Sequence, residues 1–227
     1  MNWQTSRAAS RARYVAKYNA SEARSYEIIV GKLADENEVA YLTDIEHVFP
    51  LRAGMSVLDV GAGTGALSKI LSRIDGLRIT ALEPSPAMIS ILKEKRELSQ
   101  LTVVEGGCDE TEDCGRFGEK QFDVIVSRQV ANGLFDPLTA FRNWYQWLVP
   151  GGTLIVIDGL YGRDGWTGVW QEEVDVLPLS ACQTMATIPY LLEATGFCIE
   201  AVEMMEATNK MLATRTKRYI VVATKKV

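Results

Sequence analysis

The chain has 227 residues, 47% of them hydrophobic and 23% charged. This length and composition predict one sizeable α/β core and argue against two full domains. The formal net charge of −5 argues against a nucleic-acid partner, because a phosphate backbone attracts basic surfaces. No apolar run approaches the roughly 18 residues that cross a bilayer, so we expect no membrane association.

The cysteines argue against a metal or disulfide framework. Cys108, Cys114, Cys182 and Cys198 show no paired C-x-x-C spacing, which argues against a zinc ribbon. We therefore expect reduced thiols in a cytoplasmic protein.

The first elements along the chain form a helical leader. Residues 1–49 are polar with helical spacing, and Tyr14, Tyr18 and Tyr26 are spaced to lie on the same or adjacent helix faces. His47, the single histidine, lies near the end of this segment. We expect a leader over 1–49 that can cover a ligand, followed by one ligand-binding domain over 50–227.

A buried strand ending in a glycine turn follows the leader. The apolar residues 56–60 run into Gly61, Gly63 and Gly65, and residues 66–73 have the apolar spacing of a helix. Alternating glycines let the backbone approach a ligand closely, and the helix N-terminus adds free N–H donors. The pattern predicts a pocket for a nucleoside-containing cofactor.

The turn alone does not identify that cofactor. It also fits the dinucleotide fingerprint, and Glu83, at the end of a second strand over 77–83, lies about 20 residues further on, where a carboxylate accepts ribose hydroxyls. Three features favour another cofactor over NAD. Asp59 lies inside the motif, the motif follows a long leader, and two more strands follow over 122–127 and 147–158 with a helix between them.

The remaining pattern predicts a doubly wound, mostly parallel seven-stranded sheet with an antiparallel C-terminal strand. Ser85 and Pro86 are typical of a helix start, which predicts a helix over 86–98. The other expected elements are a strand over 101–105, a loop over 106–120, helices over 136–148 and 184–195, an irregular segment over 159–182, and closing strands over 197–203 and 218–224. The loops at 61–65, 83–86, 106–110, 127–132 and 159–170 are expected to surround one cleft.

Four motifs in this order resemble the class I S-adenosylmethionine-dependent methyltransferases that act on small molecules. They are the segment from Asp59 to Gly65, Glu83, Phe122-Asp123 at the start of the fourth strand, and the Leu-Val-Pro-Gly-Gly turn over 148–152. The resemblance runs from about Met55 to the C-terminus. It implies a Rossmann-like methyltransferase fold and S-adenosylmethionine as the cofactor, with S-adenosylhomocysteine as the product.

The resemblance also implies roles for individual residues. The turn residues Gly61, Ala62, Gly63 and Gly65 are expected to contact the amino-acid part of the cofactor. Asp59 would orient its ammonium group and Glu83 would bind the ribose. Further expected contacts are adenine packing by Pro84 or Met88, recognition of the adenine edge by Cys108 or Asp109, and contacts to the methionyl part or the acceptor by Ser127, Arg128 and Gln129.

The acceptor side carries weaker signals. Trp166 and Trp170 are expected either to form a substrate wall or to pack as a lid, and Tyr14 and Tyr18 are lid candidates. They and His47 are also weak candidates for a catalytic base, and no clear base is identified. A sulfonium methyl needs no metal, because it transfers to an aligned nucleophile by in-line displacement.

We therefore expect methyl transfer to a small oxygen, nitrogen or carbon nucleophile by a monomer or homodimer. Two alternatives remain. One is a non-catalytic cofactor-binding regulatory or partner subunit. The other is an arsenite or thiol methyltransferase in which Cys108, Cys114 and Cys182 hold the acceptor.

Overall fold

Seven strands form a single sheet in the computed structural model, which describes residues 3–31, 35–212 and 216–227. The strands are β1 (Ser56–Val60), β2 (Arg78–Glu83), β3 (Thr102–Glu105), β4 (Phe122–Arg128), β5 (Leu148–Gly159), β6 (Phe197–Met204) and β7 (Arg218–Lys225). Their order is β3-β2-β1-β4-β5-β7-β6. Strands β1 to β5 pair in parallel, and β7 is antiparallel to both β5 and β6, which confirms the predicted architecture.

Eight α-helices flank the sheet in the described part of the chain. They are α1 (Trp3–Lys17), α2 (Ala20–Tyr26), α3 (Asp35–Val48), α4 (Ala66–Leu71), α5 (Pro86–Glu94), α6 (Pro137–Trp147), α7 (Thr187–Ala194) and α8 (Glu206–Met211). A π-helical turn follows α2 at Glu27–Gly31. Helix α5 begins as predicted, because the Ser85 hydroxyl accepts the Met88 N–H at 3.3 Å and Pro86 occupies the first turn.

The alternation of side chains along the strands divides the core between the two sheet faces. One face, with Leu58 and Ile125, is covered by α6 and α7 and by the fully buried Trp144. The other face, with Val57 and Val124, is covered by α3 and α4 and by Met205 and Leu212, which flank α8. Both faces are apolar because helices cover a central parallel sheet from both sides.

Helix α3, the last helix of the expected leader, packs on the second face. Tyr41 and Ile45 of α3 are fully buried there, and the Asp44 carboxylate accepts the backbone N–H groups of Ala207 and Thr208 at the start of α8. The last helix of the segment 1–49 therefore contributes to the core. The division at residue 49 stays a prediction.

Several element boundaries differ from the expected ones. The helix predicted over 86–98 ends at Glu94, because Lys95 is extended and a 3₁₀ turn over Arg96–Leu98 buries Leu98 beside Leu92. The segment predicted as a loop over 106–120 contains a 3₁₀ helix at Thr111–Arg116. The helix predicted over 184–195 is limited to α7, and the segment 159–182 holds two 3₁₀ turns, Arg163–Gly165 and Gly168–Glu173.

The site follows from the strand order. Strand β1 lies between β2 and β4, so that Val60 is paired with Leu82 on one side and Ser127 on the other. The chain leaves β1 toward one side of the sheet and β4 toward the other, and ligands bind at such switch points in α/β folds. No helix in the described ranges is long and apolar enough to cross a membrane.

Candidate active site

A cleft opens at the carboxyl ends of β1, β2 and β4. Eight of the residues predicted to bind a cofactor line it: Gly61, Gly63, Glu83, Pro84, Met88, Cys108, Asp109 and Arg128. The leader supplies the opposite wall with Arg11, Tyr14, Tyr18 and Tyr26. The cleft is therefore formed by the domain and the leader together.

The glycine turn brings its backbone to the cleft at Gly61 and Gly63. Gly61 has a φ of +64°, and a Cβ atom there would lie 2.5 Å from Cγ2 of Val130, so a side chain would be both strained and obstructed. Gly65 does not line the cleft, and its expected contact with the cofactor stays a prediction. It precedes α4, and a Cβ there would lie 2.7 Å from Cδ1 of Leu98, so its small size allows packing. Ala62 is likewise buried in an apolar cluster with Leu98.

Glu83 lies at the end of β2 with both carboxylate oxygens oriented by the backbone. One oxygen accepts the Gly63 N–H at 2.8 Å, and the other accepts the Ser85 N–H at 2.9 Å. Burial raises the pKa of Glu83 to about 7, although both hydrogen bonds favour the ionised form. The side chain links the glycine turn to the start of α5 and keeps acceptor capacity for a ligand hydroxyl.

Asp59 is buried behind the turn and does not line the cleft. Its carboxylate accepts the Ser68 hydroxyl of α4 at 2.6 Å. Burial raises its pKa to about 7, while the Ser68 hydrogen bond and the charge of Arg128 act in the opposite direction. The direct observation is thus a link between β1 and α4, and the role toward the cofactor ammonium stays a prediction.

The loop after β3 holds the leader. The Asp109 carboxylate accepts Arg11 Nε at 2.8 Å with one oxygen and the backbone N–H groups of Phe135 and Asp136 with the other. Asp109 therefore already has protein partners, and its expected recognition of the adenine edge stays a prediction. Cys108 is buried beside it, and burial raises the pKa of its thiol.

A second cavity of about 340 Å³ adjoins the cleft. The two share four lining residues, Tyr14, Tyr18, Tyr26 and Gln129. The remaining walls of the second cavity come from the leader, the turn after β4 and the segment after β5, and include Glu22, Asn132, Tyr161, Trp166 and Trp170. Trp166 and Trp170 thus both line the second cavity, and Trp170 also packs against Tyr14 and Tyr18 of the leader.

Aromatic contacts join the leader to the segment after β5. The ring of Trp170 lies 4.7 Å from that of Tyr18 and 5.5 Å from that of Tyr14, measured between centroids. Lys17 lies over Trp170 at 5.7 Å and forms an ion pair with the buried Glu173. These contacts hold the leader against the segment after β5 beside the second cavity.

The sheet side of the second cavity is polar. Gln129 has a φ of +59°, an uncommon value for a residue other than glycine, and its N–H donates to the Ile157 carbonyl at 2.7 Å. Its Nε2 donates to the Tyr161 hydroxyl at 2.9 Å, and Arg218 donates to the same hydroxyl at 3.3 Å. The buried Gln129 Oε1 and Asn132 Oδ1 have no hydrogen-bond partner within the described ranges.

Other expected site residues lie elsewhere. The His47 side chain is 73% exposed beside Glu203 and lines neither cavity, so its role as a base stays a prediction without support from its position. Ser127 is fully buried in β4 and does not line the cleft. Arg128 does line the cleft, and its guanidinium lies over the Tyr41 ring at 5.0 Å.

The structure does not bring the three cysteines of the arsenite alternative to one place. Cys108 lines the cleft, whereas Cys114 is exposed. No group of three or more His, Cys, Asp or Glu side chains in the described ranges could hold a metal ion.

Sequence reasoning missed Arg11, and it placed Asn132 and Tyr161 only within the loops 127–132 and 159–170 without naming them. Tyr161 follows the end of β5 by two residues, a position that could have suggested it, because such strand ends surround the site. Nothing in the sequence distinguishes Arg11 from the other arginines of the leader.

Comparisons with known proteins agree with this architecture. Residues 58–156 match the family model of the methyltransferase domain. The chain is 34% identical over 110 residues to phosphoethanolamine N-methyltransferase 1 of Triticum aestivum, covering 48% of this chain and 21% of that protein. It is 30% identical over 103 residues to a ubiquinone biosynthesis O-methyltransferase of Xanthomonas campestris, covering 45% of this chain and 42% of that protein.

A solved structure shows the same fold. Phosphoethanolamine N-methyltransferase 2 of Haemonchus contortus, in complex with phosphomonomethylethanolamine and S-adenosylhomocysteine, superposes with a TM-score of 0.68 at 19% identity, covering 93% of this chain and 58% of that chain. This chain spans less than half the length of the two curated relatives. This chain is therefore similar to methyltransferases over residues 58–156, and it shares the fold of one that binds S-adenosylhomocysteine.

Proposed function

We propose that this chain transfers a methyl group from S-adenosylmethionine to a small molecule bound in the second cavity. The observation that carries the proposal is the wall common to the two cavities, formed by Tyr14, Tyr18, Tyr26 and Gln129. In-line displacement needs the nucleophile and the sulfonium methyl in one enclosed space, on opposite sides of the transferred carbon. Two adjoining cavities with a common wall meet that need.

The cofactor would lie along the first cleft. Glu83 would accept ribose hydroxyls, Met88 and Pro84 would pack against the adenine, and the backbone at Gly61 and Gly63 would contact the amino-acid part. The cofactor supplies an electrophilic methyl group when bound. The chain's own contribution is to orient both reactants and to exclude water, which the leader does through Arg11 and the aromatic contacts of Trp170.

Relatives named for nitrogen and for oxygen methylation support a small acceptor and leave its reacting atom open. The size of the second cavity, about 340 Å³, also favours a small molecule. A non-catalytic cofactor-binding subunit is the alternative, and it predicts tight cofactor binding without turnover on any acceptor.

The first experiment is calorimetric titration with S-adenosylhomocysteine and, separately, with NAD. We expect micromolar binding of the former and none of the latter. Glu83→Gln is expected to lower the affinity about tenfold or more, because an amide NH₂ replaces one of the two oxygens that accept the turn N–H groups.

Glu94→Gln is the matched control, since Glu94 is exposed and pairs with Arg24 away from the cleft. Preference for NAD, or equal loss in the two variants, would refute the proposed cofactor site. Release of S-adenosylhomocysteine in the presence of small acceptors then separates the enzyme from the non-catalytic alternative.

A further inference from the structure

We propose that the second cavity takes an amine as its methyl acceptor and holds the cationic methylated product. This inference rests on the proposed function and adds the chemical class of the acceptor. It follows from the charge and hydrogen-bonding character of the cavity wall.

The walls are aromatic and carry no positive charge. Six of the thirteen lining residues are tyrosine or tryptophan. The one charged lining residue in the described part of the chain is Glu22, a carboxylate. Aromatic faces attract cations through the negative face of the ring, so this lining favours an ammonium group over a carboxylate, a phosphate or a phenolate.

Two buried acceptors at the polar end of the cavity have no hydrogen-bond donor in the described ranges. Gln129 Oε1 and Asn132 Oδ1 are buried without a donor in the described ranges, and both residues line the cavity. Unpaired buried oxygens are unfavourable, and a ligand with N–H groups would satisfy them. Gln129 cannot turn freely to find another partner, because its amide nitrogen is already bound to Tyr161 at 2.9 Å.

Two cationic side chains that contact the cavity wall, Lys17 and Arg218, are each balanced by a carboxylate, whereas Arg128, whose charge also acts on Tyr26 and Tyr161, lines the first cleft. Lys17 lies over Trp170 and pairs with Glu173, so the cation that already contacts this aromatic wall is neutralised. Arg218 donates to the Tyr161 hydroxyl at 3.3 Å, and its charge also acts on the buried Asp158. Neither side chain lines the cavity, so neither presents its charge to the acceptor.

The chemistry suits a nitrogen nucleophile. An ammonium ion first releases a proton to water, and its nitrogen lone pair then forms the bond to the methyl carbon. The C–S bond breaks with its electron pair remaining on sulfur, so the sulfonium becomes a neutral thioether and the nitrogen becomes positively charged. Positive charge thus moves toward the aromatic faces and amide oxygens, which stabilise it as it develops.

The test is a comparison of cations with neutral molecules of matched size. Protein with and without bound S-adenosylhomocysteine is titrated, at constant ionic strength, with tetramethylammonium against tert-butanol and with ethylammonium against ethanol. We expect each cation to bind about tenfold more tightly than its neutral partner. Equal affinities, or tighter binding of the alcohols, would overturn the inference.

Charge changes at Asn132 sharpen the test. Asn132→Asp is expected to strengthen cation binding about fivefold, and Asn132→Lys to abolish it, with little change for tert-butanol. Gln100→Lys adds the same charge at an exposed position remote from both cavities and is expected to change nothing. If Asn132→Lys and Gln100→Lys behave alike, the cavity does not hold the cation and the inference fails.

The two proposals fail in different ways. If the proposed cofactor site is wrong, S-adenosylhomocysteine does not bind, and the preference for cations can still be measured on the protein without it. Loss of the amine inference would appear as normal cofactor binding without any preference for cations.

Discussion

Replacement of Gly61 by alanine tests the account of the glycine turn. At a φ of +64° an L-residue is strained, and the new Cβ would lie 2.5 Å from Cγ2 and 3.2 Å from Cγ1 of Val130. Carbon atoms normally approach to about 3.5–4.0 Å, so Val130 must move by about 1 Å. Val130 lines the cofactor cleft, and its displacement is therefore expected to weaken cofactor binding as well as stability.

The expected loss in the free energy of unfolding of Gly61→Ala has two contributions. Left-handed backbone costs an alanine about 1–2 kcal/mol, and overpacking adds about 1–3 kcal/mol. Gly54→Ala isolates the first contribution, because Gly54 has a φ of +88° and a Cβ atom there would meet nothing within 4 Å in the described part of the chain. Gly61→Ala should therefore lower the free energy of unfolding by about 1–3 kcal/mol more than Gly54→Ala.

Equilibrium unfolding in urea measures this difference, and titration with S-adenosylhomocysteine measures the effect on the cleft. In the double variant with Val130→Ala, the two closest atoms are removed and the Val130 Cβ, at 3.5 Å, becomes the nearest, so the overpacking should disappear. The double variant should then be more stable than the sum of its parts by about 1–3 kcal/mol. Equal destabilisation by Gly61→Ala and Gly54→Ala, or strict additivity with Val130→Ala, would refute the steric argument.

Three further predictions concern the buried acid, the leader and the acceptor wall. Burial raises the pKa of Asp59 to about 7, so between about pH 4 and pH 7 the unfolded chain has lost a proton that the folded chain keeps. The free energy of unfolding therefore falls as pH rises through this range, by up to about 4 kcal/mol for this group. Asp59→Asn should remove that part of the slope in urea unfolding measured across this range, and an unchanged slope would contradict the assignment. Arg11→Gln should release α1 from Asp109 and speed tryptic cleavage of the leader about tenfold relative to Arg13→Gln. Arg13→Gln is the control because Arg13 is exposed and donates to Ser10 of its own helix. Equal cleavage rates would show that the Asp109 contact does not hold the leader. Trp166→Leu should lower turnover at limiting acceptor about tenfold and leave the affinity for S-adenosylhomocysteine unchanged, because Trp166 lines the second cavity and not the first cleft. A parallel loss of cofactor affinity would argue against two separate cavities.

Local patterns in the sequence predicted the sheet and much of the first cleft. The strand before Gly61, the carboxylate at the end of the second strand and the Ser85-Pro86 helix start each depend on neighbours within a few residues. Such short-range features specify where strands end, and the parallel order then brings the ends of β1, β2 and β4 together. For this reason the pattern of residues alone suffices to place Gly61, Gly63 and Glu83 at one cleft, whereas Met88 was expected there from the resemblance.

Tertiary contacts decided the rest, because they join residues far apart in the chain. The sequence by itself determined an α/β sheet, a glycine turn at the switch point and a carboxylate beside it, since periodicity and turn chemistry are local properties. Only the folded molecule showed that Arg11 occupies Asp109, 98 positions away, and that Gly65 packs against Leu98. Only the fold, too, brought Gln129 to Tyr161 and the leader to Trp170, because long-range packing decides which side chains meet and thereby forms the second cavity.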